Sequence, residues 1–160
     1  MSGSGGVRLV GGYGCEIDAV GSRNRWGLFT PLMLTPVVDG RPLVELAAEF
    51  ESRQGYSPSG GYAGLVPDHF RFGDLSRYFL GQEDGQWPRP GYAWLLGCDC
   101  GEVGCWPLEA RIITGAETVT WTGFAQPHRR ARDYQDFGDF IFDRASYEHA
   151  VREAAEMFRQ

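Results

Sequence analysis

Three of the four cysteines in this 160-residue chain fall within eight positions, Cys98-Asp99-Cys100-Gly101-Glu102-Val103-Gly104-Cys105, between two apolar runs of β type. Core packing does not call for such crowding. A C-x-C-x4-C segment with glycines at 101 and 104 can reverse sharply, because glycine adopts turn angles that a β-branched residue resists. Three sulfurs then aim at one point. Deprotonated sulfur holds zinc at about 2.3 Å in a tetrahedral cage, so the segment predicts a zinc-knuckle-like hairpin tip with Cys98, Cys100 and Cys105 as ligands. The fourth ligand must come from elsewhere. His128 is the first candidate, because it follows a strand and Pro127, and a hairpin return would bring it beside the knuckle; Cys15 is the second. His149 is less suitable, since it lies on a helix whose register the core explains.

Other chemistries for the same cysteines stay open. Free cysteine is a small hydrophobe in many cores. Thiol redox is another reading, with Cys98 or Cys100 attacking a disulfide and Cys105 resolving it, although no C-x-x-C opens a helix here. A hydrolytic zinc would keep an open water position beside a carboxylate base, and Glu102 is the residue placed to serve. The H-x-E and P-C-x-x-C signatures of nucleobase deaminases are absent.

The chain contains no lysine, so all 15 basic residues are arginine, which excludes side-chain Schiff bases and a Walker-type phosphate lysine. A net charge of −6 opposes nonspecific adhesion to nucleic acid or anionic membranes. The Arg129-Arg130-Ala131-Arg132 cluster reads as a solvated loop, partly neutralised by Asp133, Asp136, Asp139 and Asp143. No apolar run approaches membrane-span length. Met1 to Gly6 has neither the charged start nor the apolar stretch of a secretory signal and reads as a flexible leader. Residues 7–160 are expected to form one globular domain in the cytoplasm, where clustered thiols are more often metal ligands or redox groups than disulfides.

Glycine is abundant, 23 residues with nine prolines, which suits a turn-rich chain with strands better than a helix bundle. Val7 to Val20 and Trp26 to Val38 read as strands, with a turn at Asp39-Gly40. Leu43, Leu46, Ala47 and Phe50 recur at helical spacing and predict a short amphipathic helix ending before Gly55. Residues 54–86 form the least regular stretch, with Asp74 placed to cap a short helical piece through Phe79. Its aromatics are either satellite core or an exposed contact surface. Tyr92 to Leu96, Leu108 to Ile113 and Glu117 to Trp121 predict three consecutive antiparallel strands, the knuckle at the first hairpin's tip. Asp143 caps a terminal helix over Arg144 to Phe158. The expected fold is α+β, a mostly antiparallel sheet packed with an internal helix and a C-terminal helix.

The C-x-C-G-x3-C string resembles the zinc turn that follows the catalytic domain of SET methyltransferases, where three such cysteines share zinc with a distant fourth. Over these eight residues the resemblance implies zinc ligation by Cys98, Cys100 and Cys105. Methyl transfer is not implied, because the family's Asn-His core motif and cofactor segment are missing. The longer stretch with Cys-Trp-Pro-Leu at 105–108 and Gln-Pro-His-Arg at 126–129 resembles an uncharacterised bacterial protein family and implies one family domain.

No other set identifies an active site. His69 beside Asp68, and His128 near Asp133 or Asp136, are possible acid–base pairs without a nucleophile, and Ser57, Ser59 and Ser76 lie in no nucleophile elbow. The resulting expectation is a structural zinc domain that binds a protein partner in an accessory or immunity-type role, with residues 56–80 and 129–132 as contact surfaces. The competing expectation is a zinc-dependent hydrolase or thiol redox enzyme.

Overall fold

The computed structural model describes residues 7–9, 15–20 and 33–158, the first two stretches in their backbone only. The leader expected at 1–6 and the start of the strand expected from Trp26 lie outside the described residues. The main sheet has six strands in the order β1 (Val7–Leu9), β9 (Asp139–Asp143), β8 (Thr118–Ala125), β7 (Leu108–Thr114), β6 (Tyr92–Cys98) and β5 (Tyr62–Ala63). Among the described strands only β1 and β9 run parallel. A three-stranded antiparallel sheet combines β2 (Cys15–Val20), β3 (Met33–Val38) and β4 (Arg41–Pro42). The α+β architecture expected from the sequence is the one observed.

A reciprocal pair of backbone bonds between Leu34 and Leu65, 2.7 and 2.8 Å, links the smaller sheet to the segment entering the larger one. A side chain at Gly64 would place its Cβ 2.5 Å from the Leu34 carbonyl oxygen, so glycine permits that approach. Asp39 and Gly40, at φ of 53° and 76°, make the turn between β3 and β4. Positive φ at both turn positions matches the twist of the flanking strands.

Helix α1 (Leu43–Arg53) buries Leu43, Leu46, Ala47 and Phe50, the four residues at predicted helical spacing, and also Glu51. Asp74 caps the short α2 (Leu75–Tyr78), its carboxylate accepting from the Ser76 N–H at 2.8 Å. Asp143 caps α3 (Arg144–Met157) by accepting from Ser146 N–H at 2.9 Å. Helix α3 packs beside β2, β8 and β9. Below it, Trp121 meets Phe142 edge to face at 4.6 Å and donates to Tyr147 Oη at 3.0 Å.

The knuckle strand is anchored by α2, which also packs against α3. Between Trp94 and Leu96 the β6–β7 register shifts, interrupting the regular ladder. The buried Tyr78 hydroxyl donates to Trp94 O at 2.8 Å and accepts from Trp94 N–H at 2.7 Å. A buried aromatic hydroxyl thus satisfies backbone groups that would otherwise be costly to desolvate.

Candidate metal centre

The hairpin from β6 to β7 carries the cysteine segment at its tip, as its sequence position predicts. Cys98 is the last residue of β6 and pairs with Tyr62 of β5. Asp99 N–H extends that pairing to Gly61 O at 3.0 Å. The chain then reverses: Gly101 N–H donates back to Cys98 O at 3.0 Å, and Gly101 itself lies at φ of 96°. A single 3-10 turn, Val103–Cys105, completes the loop, with Cys105 N–H donating to Glu102 O at 3.1 Å. Buried Val103 presses on the backbone of Gly97, where an added Cβ would lie 3.0 Å from Val103 Cα. Close backbone approach therefore fixes the height of the turn above the sheet.

This path brings the sulfurs of Cys98, Cys100 and Cys105 within 4.8 Å of one another. A tetrahedral ion with bonds of about 2.3 Å holds its sulfurs about 3.8 Å apart, so shifts of about an ångström would close the group on a metal. Cys98 is half-buried, whereas Cys100 and Cys105 are exposed. Burial, reinforced by the neighbouring Cys100 and Cys105 thiols, pushes the Cys98 thiol up to about 12. The Glu102 N–H and the Cys98 thiol hold Cys100 below its ordinary value by hydrogen bonding to its sulfur. Three thiols so close cannot all shed protons without mutual repulsion, and a divalent cation would relieve it.

His128 lies where the hairpin return was expected to place it. Strand β8 runs back along β7, and after Gln126-Pro127 the imidazole Nε2 lies 2.7 Å from Gly104 O. His128 is not within the three-thiol group, so the structure brings it against the knuckle backbone rather than among the sulfurs. Cys15 stands in β2, and its side chain lies outside the described residues. His149 projects from α3 and faces Glu153 at 3.3 Å.

His69 is the knuckle neighbour that sequence reasoning missed. Read there as one half of an acid–base pair with Asp68, its Nδ1 lies 3.2 Å from Gly101 O. Two imidazoles thus flank the knuckle, each directed at a carbonyl of a glycine in the turn. No sequence spacing signals this position, which depends on the irregular 64–74 segment crossing the hairpin tip.

The loop following β8 is fixed by a buried polar cluster. Glu51, fully buried on α1, accepts from Tyr62 Oη at 2.6 Å, Tyr134 Oη at 2.5 Å and Gly60 N–H at 2.8 Å. Arg132 Nη1 faces the same carboxylate at 3.5 Å, and its Nη2 donates to Pro58 O at 2.6 Å. Gln126 joins through Tyr62 Oη and accepts from His128 N–H at 3.0 Å. Trp106, just past the knuckle, donates to Gly60 O at 2.9 Å while Arg129 lies 4.9 Å above its ring. Knuckle, α1 and the arginine loop are therefore tied together.

One sequence expectation changes. The aromatics of the 56–80 segment do not form an exposed surface, because Tyr62, Phe72, Tyr78 and Phe79 are buried and Tyr56 and Phe70 pack against the core. The acids following the arginine cluster do not neutralise it through ion pairs among the described residues. Asp133, Asp139 and Asp143 instead accept from Gln135 N–H, Thr122 Oγ1 and Ser146 N–H. No described helix is long and apolar enough to cross a membrane. Compared with protein-family models, curated proteins and solved structures, the chain matches none of them.

Proposed function

We propose that this protein is a small cytoplasmic domain stabilised by one structural zinc ion, and that it works by recognising a protein partner in an accessory or immunity-type role. The observation that carries the metal reading is the convergence of three thiols within 4.8 Å at a hairpin tip. Sulfur ligands suit zinc in a closed structural site better than hard cations. The same thiols fit a reducing compartment, in which they stay available as ligands.

His128 is the proposed fourth ligand. Ligating imidazoles commonly engage a backbone carbonyl through their second nitrogen, and the contact of His128 Nε2 with Gly104 O leaves Nδ1 for the ion. His69 has the converse arrangement, with Nδ1 engaged and Nε2 left over. Zinc in this position would join the hairpin tip to the loop after β8 and present Arg129 and Arg130 on a rigid base. Partner recognition follows from that arrangement and from the acidic overall charge, which disfavours nucleic acid and membrane surfaces.

The test is elemental mass spectrometry on tag-free protein purified without chelator, with thiols counted after denaturation. About one zinc per chain is expected, falling close to zero in Cys100→Ser. His128→Ala should weaken zinc retention against a competing chelator, while His69→Ala should leave it unchanged; the opposite ranking transfers the fourth position to His69. A metal-free protein with its thiols reduced overturns the zinc reading. A metal-free protein with a disulfide among Cys98, Cys100 and Cys105 moves redox chemistry forward.

A further inference from the structure

Beside the knuckle, Trp94, Glu109 and Ala125 form a cross-strand row, Trp94 opposite Glu109 on β6–β7 and Glu109 opposite Ala125 on β7–β8. This row floors an open cavity of about 470 Å³, whose walls include Arg89 from the segment before β6 and Arg129, Arg130 and Arg132 from the loop after β8. Small-molecule sites commonly have volumes of roughly 300–1,000 Å³.

The lining holds four guanidiniums and one carboxylate. Glu109 is committed to Arg89, whose two terminal nitrogens lie 3.2 and 3.4 Å from its oxygens. Arg132 is turned toward buried Glu51. Arg129 and Arg130 are exposed at the rim, with no acid at ion-pair distance among the described residues; Arg129 lies over the Trp106 ring and donates to His128 O at 2.9 Å.

A second observation is independent of that charge imbalance. Trp94 is only 9% exposed, and its buried Nε1–H has no hydrogen-bond partner among the described residues. Arg132 Nη1 is likewise buried without a hydrogen-bond acceptor, although it faces the Glu51 charge. Unmet buried donors are costly. Both residues line this cavity; Arg132 directs its Nη1 at Glu51, which leaves the Trp94 indole as the unmet donor in the lining.

We propose that the cavity binds a phosphate monoester, with Arg129 and Arg130 engaging the dianion and Trp94 lining its seat. A carboxylate is matched by one guanidinium fork, whereas a phosphoryl group offers oxygens to several donors at once. The ester belongs either to a free small molecule or to a phosphorylated side chain of a partner. The site rests on the cavity and its donors and does not depend on zinc.

Isothermal titration of the full chain at low ionic strength tests this with three probes: inorganic phosphate, glycerol 3-phosphate and a blocked glycine–phosphoserine–glycine tripeptide. Saturable one-to-one binding is expected for at least one ester, weakened about tenfold by Arg130→Gln and by Arg129→Gln, the scale of a charge-assisted bond. Both side chains are exposed, and unchanged circular dichroism would verify folding. Arg152→Gln, which changes net charge equally on remote α3, should leave affinity unaltered. Tighter binding of glycerol 3-phosphate assigns the small-molecule source; tighter binding of the tripeptide assigns the side-chain source. The proposal is overturned by absence of saturation with both esters, by affinity indifferent to both loop substitutions, by equal loss in Arg152→Gln, or, in a carboxylate control titration, by acetate binding as tightly as either ester.

Discussion

The Glu51 cluster and the cysteine knuckle both meet Tyr62 of β5, one through its hydroxyl and the other through backbone pairing with Cys98, and each gathers polar groups in a small space. In the first, each carboxylate oxygen meets partners supplied by the chain: Gly60 at one, and Tyr62, Tyr134 and Arg132 at the other. In the second, three sulfurs face each other while the surrounding hydrogen bonds mostly serve the backbone. A cluster that closes upon itself acts in folding. Three thiols within 4.8 Å of one another lie close enough to hold a metal ion, whereas the Glu51 cluster is filled by its own partners.

The largest effect should come from attacking the closed cluster. Glu51→Ala leaves Arg132 buried beside three unpartnered donors, and loss of one member of a buried ion pair typically costs about 3–5 kcal/mol. Urea unfolding should report that loss; a change below about 1 kcal/mol would erase the distinction between the clusters.

Removing metal from the knuckle should come next. A ligand present at about 100 times its Kd stabilises the native state by about 2.7 kcal/mol, so chelation should lower the unfolding free energy by a comparable amount and restoring zinc should reverse it. The effect should vanish in Cys100→Ser. A chelator-insensitive wild type would make the knuckle as self-contained as the Glu51 cluster.

Tyr134→Phe should have the smallest effect, about 1 kcal/mol at neutral pH for one lost hydrogen bond. Its pH dependence is more informative. Burial, then the bond to Glu51, pushes the Tyr134 hydroxyl up to about 12 from an ordinary 10.0. The folded state thus favours the neutral phenol, and that contribution is complete below pH 10 and lost as pH rises toward 12. Tyr62 shifts in the same direction, chiefly through burial. Tyr134→Phe should therefore shallow the alkaline fall in stability without abolishing it; an unchanged alkaline limb would place the titration elsewhere.

Much of this arrangement was legible where local chemistry decides local structure. The Asp74 and Asp143 caps, the Asp39-Gly40 turn and the three-strand hairpin run occur where sequence pattern places them. Strand β9 was missed. Asp139-Phe140-Ile141-Phe142-Asp143 carries a two-residue alternation that buries Phe140 and Phe142, but its acids read as a charged run. Glu51 also left a signal, because positions 43, 47 and 51 share one helical face. A glutamate there looks solvent-exposed until distant tyrosines are known to meet it.

The sequence by itself determined the cysteine turn, since ligand spacing and the glycines needed for chain reversal are contiguous in eight residues. It also determined the absence of lysine chemistry and the main helix and hairpin boundaries, each governed by neighbours a few positions away. Only tertiary structure decided that His69 and His128 both flank the knuckle, that Glu51 is enclosed by Tyr62, Tyr134 and Arg132, and that the arginine loop borders a cavity over Trp94. Those contacts join residues separated by tens of positions, and their geometry follows from sheet order and close packing rather than from spacing along the chain.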